Sequence, residues 1–216
     1  MSEKTIFEND INKVNKKTIL IIIFSISFII LFILIKTKLI EPFDIRVYNL
    51  IALNINESLT NFFKIMTFLG EGVSIASYCI IALIVSYYLK KKNIGLIIAG
   101  CVTFNSLFSE VIKRIIQRPR PEILRLINES SYSFPSSHTL ASVSLCGILI
   151  YLIYRSDLNK SMKAISTIFL VLFPILIGIS RIYLGVHYAS DVLGGALIAI
   201  ILLLIEISII EKNELF

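Results

Sequence analysis

Tryptophan is absent from the chain, histidine occurs twice and cysteine three times among 216 residues, and only 17% of residues are charged. With 56% hydrophobic residues and a mean hydropathy of +0.84, this is far from the makeup of an ordinary soluble domain. Cys79, Cys101 and Cys146 are odd in number and lie inside apolar segments, so neither a disulfide framework nor a clustered metal site is expected. Two histidines without a carboxylate cluster also fall short of a zinc or di-iron ligand set; the reading is metal: none, and no cofactor. There is no internal repeat, low-complexity tract or separate soluble domain, and residues 1–216 read as one domain.

What the chain has instead is long apolar runs. Residues 18–35, TILIIIFSISFIILFILI, carry no charge, and at the helical rise they span roughly 27 Å, close to the hydrocarbon core of a bilayer. Residues 1–17 are polar and mixed in charge, and no small-residue cleavage site follows the apolar run, so an uncleaved first span is expected. Further windows at 73–89, 94–112, 138–154, 164–180 and 191–210 bring the expected spans to six, an all-α polytopic membrane bundle. Residues 39–72 mix apolar positions with Asp44, Arg46, Asn54, Glu57 and Lys64 and end in FLGEG, which predicts amphipathic helices lying in the interface.

The net charge of +6 does not imply nucleic acid, because most basic residues sit in short loops beside spans, where they fix orientation. Lys13, Lys16 and Lys17, then Lys90 to Lys92, then Arg155, Lys160 and Lys163 share one face after six crossings. That face is assigned to the cytoplasm with both termini, although Lys36, Lys38, Arg46 and Lys64 go against the bias. Residues 113–137 and 181–190 then fall on the opposite face, the extracytoplasmic one.

Three segments collect there. KRIIQRPRP at 113–121 is a rigid basic loop, since the residue before each proline is biased to extended backbone, and forked guanidiniums suit phosphate oxygens. PSSH at 135–138 reads as a helix start whose free N–H groups, with the Ser136 and Ser137 hydroxyls, point at an anion beside His138. In SRIYLGVHYASD at 180–191, His187 and Asp191 are four residues apart, so on a helix the carboxylate holds one ring nitrogen and raises the basicity of the other. Singly, each segment also has a plain structural reading as a headgroup-contacting patch, a helix cap or a helix-entry pair. Both histidines of the chain fall in these segments, on the same expected face.

The order Lys113, six residues, Arg120-Pro121, then Pro135-Ser136-Ser137-His138, then Ser180-Arg181, five residues, His187, three residues, Asp191 closely resembles the three-part signature of the type 2 phosphatidic acid phosphatases. These are membrane relatives of the vanadium haloperoxidases and glucose-6-phosphatase. The resemblance implies a metal-independent phosphatase in which His187 attacks phosphorus, Asp191 supports it and His138 protonates the leaving oxygen. Lys113, Arg120, Ser136, Ser137 and Arg181 would bind the phosphate. The chain departs at Ser137, where the family most often has glycine; a backbone angle easy for glycine would be strained there, with phosphate binding expected to survive.

A site at headgroup level implies a membrane lipid phosphate or diphosphate as substrate, with undecaprenyl diphosphate ahead of phosphatidic acid and phosphatidylglycerol phosphate. Two other readings stay open: a phosphotransferase of the same fold, and a lipid or anion transporter. Against transport, the charges gather at one face instead of lining a path through the bilayer.

Overall fold

The computed structural model describes residues 3–214, with side chains from Lys16 onward; of the expected cytoplasmic leader, Lys13 lies outside the described side chains. Among the described residues helices are the only regular elements: α1 (Glu3–Lys36), α2 (Glu41–Ala52), α3 (Glu57–Leu69), α4 (Gly72–Tyr88), α5 (Lys92–Ile116), α6 (Ser137–Arg155), α7 (Lys160–Tyr183) and α8 (Ala189–Lys212). Helices α1, α5, α6, α7 and α8 are each long and apolar enough to cross a membrane. A sixth crossing arises only if α3 and α4 count together, because they meet at 49° across the break at Gly70 and Glu71.

The outer surface fits a lipid solvent. Ile22, Ile26, Ile29 and Ile33 of α1 stay about half exposed, and Ile165, Ile168 and Phe169 of α7 more than half, which in water would be a large unprotected apolar face. Helix α6 is the centre of the bundle, packed by α4, α5, α7 and α8, while α1 lies along α8. A Lys17 to Glu211 ion pair fixes the start of the first span beside the end of the last.

Stretch 39–72 is less uniform than an interfacial segment. Helix α2 packs across the ends of α7 and α8, whereas α3 packs on α7 and leads into α4. Asp44, expected on a polar face, is instead buried at 2% exposure.

Chain alternation brings the last turns of α1, α5 and α7 and the first turns of α4, α6 and α8 to one end of the bundle. Two glycines let that end close. Gly185 has φ of +73°, and a Cβ there would stand 2.2 Å from the Leu124 carbonyl oxygen, so the turn after α7 presses against the 121–127 loop. A Cβ on Gly195 would meet the Ser136 carbonyl oxygen at 2.7 Å, so α8 approaches the entry of α6 as closely as backbone allows.

Candidate active site

At this end lies a cavity of about 620 Å³. Its head is polar, lined by Lys113 from α5, Arg120 and Glu129 from the loop after α5, Ser137 and His138 from the start of α6, Arg181 from the end of α7, and His187. From there it continues as an apolar cleft between α4 and α5, past Ile75, Cys79, Ile80, Leu83, Ala99 and Val102. The structure therefore brings Lys113, Arg120, Ser137, His138, Arg181 and His187 around one space, with Asp191 directly behind His187. Ser136 stands apart: it is fully buried, its N–H donates to the Asp191 carbonyl at 3.1 Å, and its hydroxyl accepts from Thr139 Oγ1 at 3.0 Å.

His187 sits just before α8, not on it; Tyr188 is the N-cap and Asp191 the third helical residue. The pairing expected from helical spacing is made instead by the turn from Arg181 to His187, where the Arg181 carbonyl accepts from both Val186 N and His187 N at 3.2 Å. Nδ1 faces Asp191 Oδ2 at 3.5 Å, just outside hydrogen-bond geometry, so the two stand in loose polar contact and Nδ1 has no closer partner. On the other side of the ring, Arg120 Nη1 stands 3.3 Å from Nε2. A guanidinium only donates, so Nε2 carries the lone pair and the ring proton sits on Nδ1 toward the carboxylate.

Burial pushes the His187 imidazole down to about 4, against the pull of Asp191 and aided by Arg181 and Arg120. It is therefore neutral at pH 7, as a nucleophile must be. In a His138→Ala variant, whose one remaining imidazole is His187, the ring resonance in an NMR titration is expected to move with a midpoint near 4. A midpoint at the ordinary 6.5 or above would contradict this environment. Because the unfolded chain takes up that proton at higher pH, stability is present above about 6.5 and declines as pH falls from there toward 4.

Asp191 is held from three sides. Its Oδ2 accepts from Tyr188 N at 2.9 Å and from the Ser133 hydroxyl, and its Oδ1 from Arg118 Nη1 at 2.6 Å. Arg118 stacks over the Tyr188 ring at 4.1 Å and reaches Asp44 Oδ2 with Nη2 at 2.9 Å. Asp44 in turn accepts from Ser190 N at 2.8 Å and from the Ser190 hydroxyl at 2.6 Å, which satisfies a free N–H at the start of α8 from a different helix. Arg118 thus bridges two buried carboxylates, and α2 is locked to the site.

The cations are oriented by the loop after α5. That helix ends at Gln117, which takes a left-handed backbone with φ of 51°, and the Arg-Pro-Arg-Pro run then carries Arg118 and Arg120 to opposite sides of the chain. Arg120 donates through Nε to the Ser131 carbonyl at 2.7 Å, through Nη1 to the Val186 carbonyl at 2.7 Å and through Nη2 to the Ser131 hydroxyl at 3.0 Å. Lys113 reaches the Ser131 hydroxyl at 3.4 Å and Glu110 at 3.6 Å. Arg181 donates to Thr67 Oγ1 and Glu129, while its Nε is buried with no partner.

No side chain caps the start of α6, so its first N–H groups stay available beside His138. Ser137 takes an ordinary helical backbone without positive φ, so the serine in place of glycine creates no strain. Its hydroxyl donates to Glu110 Oε1 at 3.2 Å. Sequence reasoning missed Asp44, Glu129 and the bridging role of Arg118.

Neutral imidazole, paired carboxylate and converging cations at one end of a lipid-facing bundle define a class, the membrane phosphatases. Residues 94–215 match the model of the PAP2 superfamily, and the chain belongs to that family. It is 31% identical over 164 residues to phosphatidylglycerophosphatase B of Bacillus subtilis, covering 75% of this chain and 78% of that one. It is 29% identical over 145 residues to undecaprenyl-diphosphatase BcrC of the same organism, covering 64% of this chain and 70% of that one. The crystal structure of a transmembrane PAP2 type phosphatidylglycerolphosphate phosphatase from Bacillus subtilis superposes with a TM-score of 0.82 at 28% identity, covering 89% of this chain and 96% of that one. The protein is a multi-span membrane lipid phosphatase, a hydrolase of phosphate esters.

Proposed function

We propose that the protein removes phosphate from a membrane lipid phosphomonoester or diphosphate through a phosphohistidine at His187. The observation that carries this reading is the shape of the cavity, a cationic head joined to an apolar cleft that runs between α4 and α5. The phosphate is held by Lys113, Arg120 and Arg181, including the unpartnered Arg181 Nε, with Ser137 and the free N–H groups at the start of α6. Ser136 acts from behind, tying α6 to Asp191.

The His187 Nε2 lone pair forms the N–P bond as the bond from phosphorus to the leaving oxygen breaks, and His138 gives that oxygen a proton. Water then attacks phosphorus, loses a proton to His138, and the N–P bond breaks to release phosphate. Asp191 supports the imidazolium through Nδ1. His138 faces Arg181, Lys113 and Arg120, so the proton it donates arrives with the negative charge of the substrate.

Of the particular lipids, phosphatidylglycerol phosphate now stands ahead of undecaprenyl diphosphate, because the relative covered over the larger share of its length bears the first name. The same reading puts the site on the extracytoplasmic face and both termini in the cytoplasm, supported by the Lys90 to Lys92 cluster and by Arg155, Lys160 and Lys163 at the opposite end of the bundle. Labelling of single cysteines in the 121–134 loop of intact cells tests that placement.

A tail in the cleft is tested by Ala76→Trp, since Ala76 lines the cleft from an exposed position on α4. KM for long-chain lipid phosphates is expected to rise about tenfold while a short-chain soluble phosphate is unaffected. Equal effects on both would remove the cleft from substrate binding. The metal-independent reading has its own test: EDTA is expected to leave phosphate release unchanged, and inhibition reversed only by a divalent metal would overturn it.

A further inference from the structure

Glu129 lies in the head of the cavity and makes contacts that a phosphate would also make. It accepts from Arg181 Nη2 through Oε1 and stands 3.7 Å from Arg120 Nη2 through Oε2. One carboxylate therefore spans the two guanidiniums of the proposed phosphate seat. Lys113 and His187 also lie within its electrostatic reach. Burial works against its charge, but Arg181 and then Arg120 hold the carboxyl below the ordinary carboxylate range, so it faces them ionised.

Its loop is tied at both ends and again at Ser131, whose carbonyl and hydroxyl accept from Arg120, while Glu129 itself lies outside any helix. Leu126 N donates to the Leu184 carbonyl at 3.0 Å and Ser133 N to the Arg118 carbonyl at 2.9 Å, whereas Asn128, Ser130, Ser131 and Tyr132 are exposed. Withdrawing Glu129 therefore costs its ion pairs without unfolding a helix.

We propose that Glu129 is a specificity residue: an internal anion that occupies the arginine pair until a doubly charged phosphate displaces it, and so keeps singly charged phosphodiester headgroups out of the site. The inference rests on the phosphate-seat reading above. A phosphodiester headgroup carries one negative charge, so exchanging it for the carboxylate gains no net charge at the arginines. A terminal phosphate near neutral pH carries between one and a half and two charges, roughly, and three strong acceptor oxygens, so the exchange favours it. An enzyme whose cleft opens into a membrane full of phosphodiester lipids needs such discrimination, which comes from the difference between the two affinities.

The test compares the full chain with Glu129→Gln in detergent micelles, reading competitive inhibition by inorganic phosphate and by phosphatidylglycerol at rising mole fraction. In Glu129→Gln the inhibition constant for phosphate is expected to fall about tenfold, and phosphatidylglycerol is expected to inhibit at mole fractions the parent tolerates. Equal constants in both proteins would overturn the role of Glu129 while leaving the seat in place. Phosphate failing to compete in either protein would overturn the seat and this inference with it. A second measurement leaves Glu129 intact: a fluorophore on Ser130→Cys is expected to change emission when phosphate saturates the protein, and an unmoved signal would also overturn the displacement.

Discussion

Replacing His187 by alanine is expected to lower phosphate release by a factor on the order of 10⁴, because on the proposed mechanism it removes the nucleophile and leaves the phosphate seat in place. The parent is expected to accumulate acid-labile, protein-bound phosphate when a labelled substrate is quenched in alkali, and the same variant to lose it. Two features make the prediction sharp. Arg120 fixes the lone pair on Nε2 from one side, and the environment keeps the ring neutral at pH 7. Release at the parent rate from His187→Ala would assign the chemistry elsewhere, and His138 would be the only other imidazole left to carry it.

The second large effect falls on a residue outside the cavity. Arg118→Met leaves Asp44 and Asp191, both buried, without the guanidinium that joins them, and is expected to cost about 3–5 kcal/mol of stability. Adding Asp44→Asn removes one of the stranded charges and should return part of that loss, read as a recovered thermal midpoint in detergent. Activity should stay low in the double variant, because Asp191 still lacks its Oδ1 partner and His187 its rigid support. Recovery of stability and activity together would mean that Arg118 only holds the fold. No recovery at all would mean that the two carboxylates are not coupled through it.

These two residues mark the boundary of what was readable in the chain. Apolar runs located the membrane-crossing stretches within a few residues, because in a bilayer hydropathy is the main condition a segment must meet. The family signature marked Lys113, Arg120, His138, Arg181 and His187, which the fold gathers around one cavity, and Asp191 beside His187, since the proposed chemistry needs particular groups at fixed local spacing. Asp44 carried no such mark. Its partners, Arg118 and Ser190, lie 74 and 146 residues away, and a carboxylate in a short amphipathic helix looks the same whether it meets water or a buried guanidinium. Glu129 was hidden for a similar reason: a loop acid has no periodicity, and its two arginines come from separate segments. Ser136 shows the reverse case, a signature residue whose hydroxyl is turned inward.

The cleft between α4 and α5 is walled partly by exposed side chains, Ile80 on one helix and Leu107 on the other, so it is open sideways along its length. After cleavage the two products part at right angles: the released alcohol or shortened lipid slips laterally among its neighbours, while phosphate escapes into bulk water and is diluted there. Turnover should then follow how crowded the substrate is within the two-dimensional sheet, and hardly at all how much of it is present per litre.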